Sequence, residues 1–345
     1  MKVENLDPVT DPRWSTLVAR HRGGLFHSPP WLGAVRDAYG FPLEAVVVLD
    51  DEGQPLAGLP FAMLDGPLAP RLVAAPFCDR CDPLFSHRSE LDQLIGLLEA
   101  RGLPVVMRCL DDVELAPSFV VIKRARWHTI PLAKSEDTRW KMLAPPTRRA
   151  IQKARRHGVE VRPLLPGTDL AAFHHLHVML RKRKYSLLAQ PLQFFEAIAT
   201  RFLAVDGWHA LGAWINGRLV AATIFLRWDD TLYYKFNASA LDELDARPNS
   251  LLTWEGMTLA ATLGCSLLDL GPSDDDQPGL SRFKRHFGAD ERELRFLRRD
   301  PPGWNDAPRL GSQQLLGEVT RLLTFPDIPD HICAKAGAQL YRYFA

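Results

Sequence analysis

Two long apolar runs, each folded back on itself around a short polar turn, dominate the pattern of the chain: LEAVVVLDDEGQPLAGLPFAML from Leu43 and WHALGAWINGRLVAATIFLRW from Trp208. Both predict β-hairpins, the second through Asn216-Gly217, a pair suited to a two-residue turn. Each is followed by another short apolar segment, Arg71–Ala75 and Thr231–Phe236, predicted as a third strand. Apolar positions at helical spacing predict helices over Asp11–Arg22, Pro30–Tyr39 behind the N-cap Ser28, Ser89–Arg101, Asp137–Leu143, Pro146–His157, Thr168–Lys184, Pro191–Leu203 and Pro248–Leu263. Further strands are expected at Pro104–Leu110, Phe119–Leu132 and Val159–Leu165.

The hairpins correspond at a constant offset of 164 residues, Gly53, Leu56, Ala57 and Phe61 falling opposite Gly217, Val220, Ala221 and Phe225. The order of parts around them also repeats: helices, hairpin, third strand, helix, strand. Together with a length of 345 residues this predicts two domains, divided near residue 135. The expected arrangement is 1–135, 136–300 and a helical tail over 301–345, with apolar-periodic segments at Gln313–Leu323 and Ile332–Tyr343. That tail is expected to pack on the second domain. The alternative, a peripheral membrane contact, has little basic charge to support it beyond Lys335 and Arg342.

The stretch with the most chemical content is LLDLGPSDDDQPGLSRFKRHF, from Leu267 to Phe287. It reads as a strand ended by Gly271-Pro272, an acidic turn, and a basic helix stopped by Gly288. A charge at Asp269 is expected at a strand end, facing solvent. Lys284 falls on a different helical face from Phe283 and Phe287, and the plain alternative for it is a surface lysine. A cation held at such a strand end can steady the oxyanion of a carbonyl under attack.

Other constellations add to this. Between Arg139 and Arg162 the basic residues include Arg148, Arg149, Lys153 and Arg156 against Glu160 alone, a face that would hold phosphate, or else a solvated helix surface. Arg247, Asn249 and Ser250 stand before a predicted helix, the last two as candidate caps, in DARPNSLLTWEG. A helix start of that kind receives phosphates on its N–H groups, yet the glycines that would let a phosphate approach the backbone are missing there. Tyr233, Tyr234 and Lys235 precede it on a strand, and one tyrosine is a candidate to protonate a leaving thiolate, with sheet packing as the alternative. His174 and His177 lack a third ligand, so no metal site is expected.

Composition narrows the classes. Hydrophobic residues make up 46%, charged residues 24%, and the net charge is +1, so no global field argues for DNA or an anionic membrane. Five cysteines without a disulfide pattern, no apolar signal-like start and no run of membrane-spanning length suggest a cytoplasmic protein. Neither a Gly-x-Ser-x-Gly elbow nor HExxH occurs, which disfavours hydrolases.

The run Asp269-Leu270-Gly271, then Phe283-Lys284, then Phe287-Gly288 resembles the signature of the FemAB-like acyltransferases, a branch of the GNAT superfamily that includes the CelD/BcsL-type polysaccharide acetyltransferases. Arg149, Ile151, Lys153, Ala154, Gly158 and Val159 resemble a second family segment, and Arg181 matches the arginine of a third, although Leu180 and Tyr185 replace its threonine and glycine. The resemblance implies an α/β fold of tandem GNAT-like (acyl-CoA N-acyltransferase-like) domains. It places Phe283 and Lys284 where donor and acceptor meet, with Asp269 beside them, Arg181 toward the acceptor, and no permanently bound cofactor. The expected reaction is N-acyl transfer from acyl-CoA, chiefly acetyl-CoA, to an amine of a sugar or cell-envelope precursor. Two alternatives stand beside it: aminoacyl-tRNA-dependent addition to a peptidoglycan-type precursor, and a non-catalytic binding module on the same scaffold.

Overall fold

The computed structural model describes residues 2–66, 68–111, 113, 115 and 117–345. The chain divides into two compact units, one of Met1–Ala125, Arg292–Gly317 and Arg342–Ala345, the other of Arg126–Glu291 and Glu318–Tyr341.

The first unit begins with β1 (Lys2–Leu6), α1 (Pro12–Arg20) and α2 (Pro29–Tyr39). Asp11 caps α1 by accepting from Arg13 N at 2.9 Å, and Ser28 caps α2 by accepting from Trp31 N at 3.3 Å, each ahead of a proline in the first turn. The expected hairpin follows as β2 (Leu43–Leu49) and β3 (Pro55–Leu64), then β4 (Arg71–Ala74), α3 (Arg88–Ala100) and β5 (Val105–Leu110). β4 and β5 are parallel, paired at Leu72–Val105 and Val73–Val106. Beyond that pairing the chain 78–82 lies against β5, Cys81 N donating to Arg108 O at 2.8 Å and Leu110 N to Asp82 Oδ1 at 2.9 Å. All five cysteines are buried free thiols, and burial pushes those of Cys81 and Cys109 well up.

Strand β6 (Val120–Pro131) leads from one unit into the other. The second unit continues with α4 (Glu136–Met142), α5 (Pro145–Arg156), β7 (Glu160–Pro163), α6 (Pro166–Leu180), a π-helical turn (Arg181–Tyr185) and α7 (Leu192–Leu203). Next come β8 (Trp208–Ile215), β9 (Arg218–Trp228), β10 (Thr231–Ser239), α8 (Pro248–Thr262), β11 (Leu267–Asp274) and α9 (Pro278–His286). Asn216 and Gly217 both have positive φ, 50° and 77°, as the tight hairpin turn requires. The sheet order here is β6-β11-β10-β9-β8-β7, with β10 and β11 parallel and β10–β9, β9–β8 and β8–β7 antiparallel. Phe225, Trp254, Met257 and Phe287 are fully covered in its core. Gly256 of α8 is needed for that packing, since a Cβ there would lie 2.4 Å from the Phe225 ring.

The chain closes with β12 (Asp290–Arg299), α10 (Ala307–Leu323) and α11 (Asp330–Leu340). β12 pairs antiparallel with β5 in the first unit, where the sheet order is β1-β2-β3-β4-β5-β12. Neither β1 nor β12 was legible as a strand. KVENL and DERELRFLRR are mostly polar; β12 buries Leu294, Leu297 and Arg298, while Glu293 pairs with Arg124 and Arg299 with Glu99. β11 also runs farther than expected: Gly271, at φ 66°, kinks it without ending it. Residues 318–340 pack on the second unit, where Leu323, Ala334 and Leu340 join Val178, Leu188 and Cys333.

Candidate active site

Parallel pairing of β10 with β11 covers Thr231–Leu267, Leu232–Leu268 and Tyr233–Asp269 and then stops. Two irregularities coincide there. A bulge between Tyr234 and Phe236 shifts β10 against β9, and Gly271 turns β11 through positive φ. The strands therefore offer unpaired edges toward one another beyond Tyr233 and Asp269, a place where an extended group can insert.

One side of this opening is braced by a half-buried polar network. Asn237 of β10 donates through Nδ2 to Thr223 Oγ1 at 3.0 Å and to Asn249 Oδ1 at 3.1 Å, and Asn249 Nδ2 donates to Ser239 Oγ at 3.3 Å. Tyr234 joins it: burial pushes its phenol up to about 12, partly offset by hydrogen bonds with Thr223, Thr253 and Asn237. So Tyr234 does not fit the expected role of acid to a leaving thiolate, because its hydroxyl is bonded inside the protein. Asn249 is likewise no helix cap. Arg247, in the left-handed conformation at φ 59°, takes the N-cap position with Pro248 after it, and Asn249 and Ser250 lie inside α8 without side-chain caps.

The other side is braced by Lys284. It is 5% exposed, not a surface lysine, and its Nζ donates to Gly271 O at 3.0 Å and Pro272 O at 2.7 Å. Two of its three protons thus hold the kink of β11. Asp269 is also buried, at 3% exposure, which corrects the expectation of a solvent-facing carboxylate; its Oδ1 accepts from Gly271 N at 2.7 Å. His128 of β6 is wholly covered and meets Glu291 at 3.1 Å, and its pKa is lowered by burial and then by the Lys284 charge, against the pull of Glu291. Sequence reasoning did not reach His128, which stands in a strand of mixed polarity with no spacing signal.

Five residues that are far apart in sequence meet around a pocket of about 400 Å³: Arg149 and Lys153 of α5, Arg247 and Ser250 at the start of α8, and Phe283 of α9. His286, one helical turn past Phe283, adds to the same wall and was legible from that spacing. Lys153 Nζ is paired with exposed Asp245 Oδ1 at 2.7 Å, while neither Arg149 nor Arg247 forms an ion pair among the described residues. The pocket lies at the positive end of a 15-residue helix. Backbone donors there are few, since Pro248 has no N–H and Ser250 N bonds to Arg247 O at 3.1 Å, so side chains supply most of the charge.

Two expected binding residues lie elsewhere. Arg148 points its Nη1 to Lys141 O at 3.5 Å and does not line the pocket. Arg181 donates from Nε to Leu188 O at 2.6 Å and lies over the Tyr341 ring, so it fastens the α6–α7 connection and the tail. His174 and His177 both bond to Gln190 in that connection, at 3.0 and 2.7 Å.

Residues 146–285 match the family model described as acetyltransferase (GNAT) domain. The matched span contains the β10–β11 opening and the basic pocket apart from His286. Solved structures share the tandem GNAT-like fold over most of the chain. FemX aligns with a TM-score of 0.63 at 12% identity, covering 86% of this chain and 97% of its own. A tandem GNAT protein from the clavulanic acid biosynthesis pathway aligns at 0.55 and 12% identity, covering 88% and 100%. L-PGS from Bacillus licheniformis aligns at 0.54 and 12% identity, covering 92% and 98%. No curated protein matches the sequence. The α/β tandem GNAT-like fold expected from the repeated hairpins and from the resemblance is thereby borne out.

Proposed function

We propose that the second unit transfers an acyl group from a donor with an anionic carrier to an amine of a sugar or cell-envelope precursor. The observation that carries this reading is the junction of the basic pocket with the β10–β11 opening: Arg149, Lys153 and Arg247 hold charge beside two strand edges whose pairing ends at Tyr233–Asp269. The carrier's phosphates sit among these side chains and the acyl carbonyl enters the opening. The acceptor nitrogen attacks that carbonyl directly. A C–N bond forms, the C–S bond of a thioester breaks, and the proton given up by the nitrogen ends on the departing sulfur, which leaves as the thiol. Lys284 and Asp269 act as positioning residues in this scheme, fixing the backbone of β11 from Gly271 to Pro272 against which the donor lies.

An acyl-CoA, chiefly acetyl-CoA, is the donor on this reading, consistent with the GNAT domain. One feature favours the alternative of aminoacyl-tRNA: phosphate is received by spaced cationic side chains on an open surface, with little backbone cradle at α8. A domain of a putative lysylphosphatidylglycerol synthetase, another structural neighbour, supports an envelope acceptor. Calorimetric titration with acetyl-CoA, longer acyl-CoAs and charged tRNA decides between them. Micromolar binding of a thioester or of tRNA that falls at least about tenfold in Arg149→Ala/Arg247→Ala upholds the reading. Binding of none of the three leaves a non-catalytic module and overturns it.

A further inference from the structure

A second cavity in the same unit, of about 580 Å³, lies between α6 and the ends of β9 and β10. Its floor is Leu176, Leu180 and Ala240, all buried, and its walls include half-buried Met179 and Leu219. Ser239 also borders it, but that hydroxyl already accepts from Asn249 Nδ2 at 3.3 Å. The mouth carries charges, and these are matched within the protein. Arg218 pairs with Asp242 at 2.9 Å and Glu243 at 3.5 Å, and Arg183 pairs with Asp330 at 3.5 Å. Exposed His175 and Leu241 complete the rim.

The size falls in the range of small-molecule sites, about 300–1,000 Å³, and such sites are mostly apolar. A charged occupant would find no unmatched ion pair partner among these arginines, whereas an uncharged hydrocarbon loses water against leucine, methionine and alanine at no electrostatic cost. The connection from β10 to α8 runs along this cavity at Ser239–Asp242 and reaches the basic pocket at Arg247 and Ser250. The two cavities thus flank one short segment of chain.

We propose that this cavity binds a linear alkyl chain, so that the protein acts on a substrate with a hydrocarbon tail. The tail belongs either to the acyl group of the donor or to a lipid-bearing acceptor. The choice of source rests on the acyltransferase reading; the existence of the alkyl site does not.

Titration with n-alkanols from hexanol to decanol, by calorimetry on the full chain, tests the site without any reaction. Affinity should rise about fourfold per added methylene, the increment for burying one CH₂ in an apolar cavity. Ala240→Leu fills the floor and should abolish the rise while the circular dichroism spectrum stays native. Met179→Phe narrows the wall without touching the floor, and serves if Ala240→Leu does not fold. Affinity independent of chain length in the native protein, or an unchanged rise in a folded filling variant, overturns the proposal. Acetyl-, hexanoyl- and decanoyl-CoA then compete against decanol: competition that grows with acyl length places the tail on the donor, and absence of that trend places it on the acceptor. If neither a thioester nor charged tRNA binds while the alkanol series holds, the acyltransferase reading fails and the alkyl site remains.

Discussion

Lys284 decides more than its charge alone would suggest. A buried ammonium that donates to two strand carbonyls cannot be removed as freely as an exposed one, because the carbonyls of Gly271 and Pro272 would keep their desolvation and lose a partner. Lys284→Met should therefore cost about 1–3 kcal/mol in the urea midpoint as well as lowering turnover by 10-fold or more. Arg285→Met, on the next residue, serves as the control, with both quantities near those of the native protein. A native turnover number in Lys284→Met would remove this lysine from the working parts. Tyr234→Phe gives a complementary test. Its hydroxyl bonds within the network of Thr223, Thr253 and Asn237, so the variant should lose about 1 kcal/mol of stability and leave the basic limb of the pH–rate profile where it was. A shifted limb would restore the tyrosine as a proton donor.

At the level of elements, the opening between β10 and β11 exists because two backbone irregularities face each other. Gly271 has φ 66°, a conformation that costs a residue with a Cβ about 1–2 kcal/mol. Gly271→Ala should reduce stability by roughly that amount. It should also raise KM for the donor more than it lowers kcat, since it moves the edge that the donor meets; steady-state kinetics against both substrates would check this. Equal effects on donor and acceptor KM would show that the kink has no special relation to the donor. The matching place in the first unit is filled instead. There the chain from Cys78 to Asp82 bonds to β5, so no comparable opening follows the β4–β5 pairs among the described residues.

For the molecule as a whole, that asymmetry predicts one donor per chain, measurable as the stoichiometry of the calorimetric titration; a value of two would mean that the loop at Cys78 yields to ligand. The histidines set the acid limit of stability. Burial, with the Arg181 charge second, takes His177 from 6.5 down to about 3, and His27, His128, His174 and His209 are lowered too, burial being the largest cause for each. A group with a depressed pKa of this kind stays neutral in the folded chain while the unfolded chain takes up a proton below pH 6.5. Stability is complete above that pH and falls toward pH 3, by at most about 1.4 kcal/mol per pH unit from His177 alone. Urea midpoints between pH 7.5 and about pH 5 should show the decline, and His177→Gln should make it shallower. A flat profile would mean that these imidazoles are charged when buried.

The amino-acid sequence by itself determined the elements whose pattern is local. Apolar runs around Asn216-Gly217 and Asp50–Gly53 specified the hairpins, and the repetition of parts around them specified the tandem fold. It also singled out Arg149, Lys153, Arg247, Ser250 and Phe283 as residues with chemistry to offer. That these five share one pocket was decided only by the tertiary structure, because α5, α8 and α9 bring them together by packing on a common core. Tertiary structure likewise turned Asn249 inward to Asn237, buried Lys284 over the kink at Gly271, and sent Arg181 to the tail. β1 and β12 were hidden for a related reason: an edge strand, or one with two core residues among many charges, owes its pairing to partners distant along the chain, and no local spacing records them.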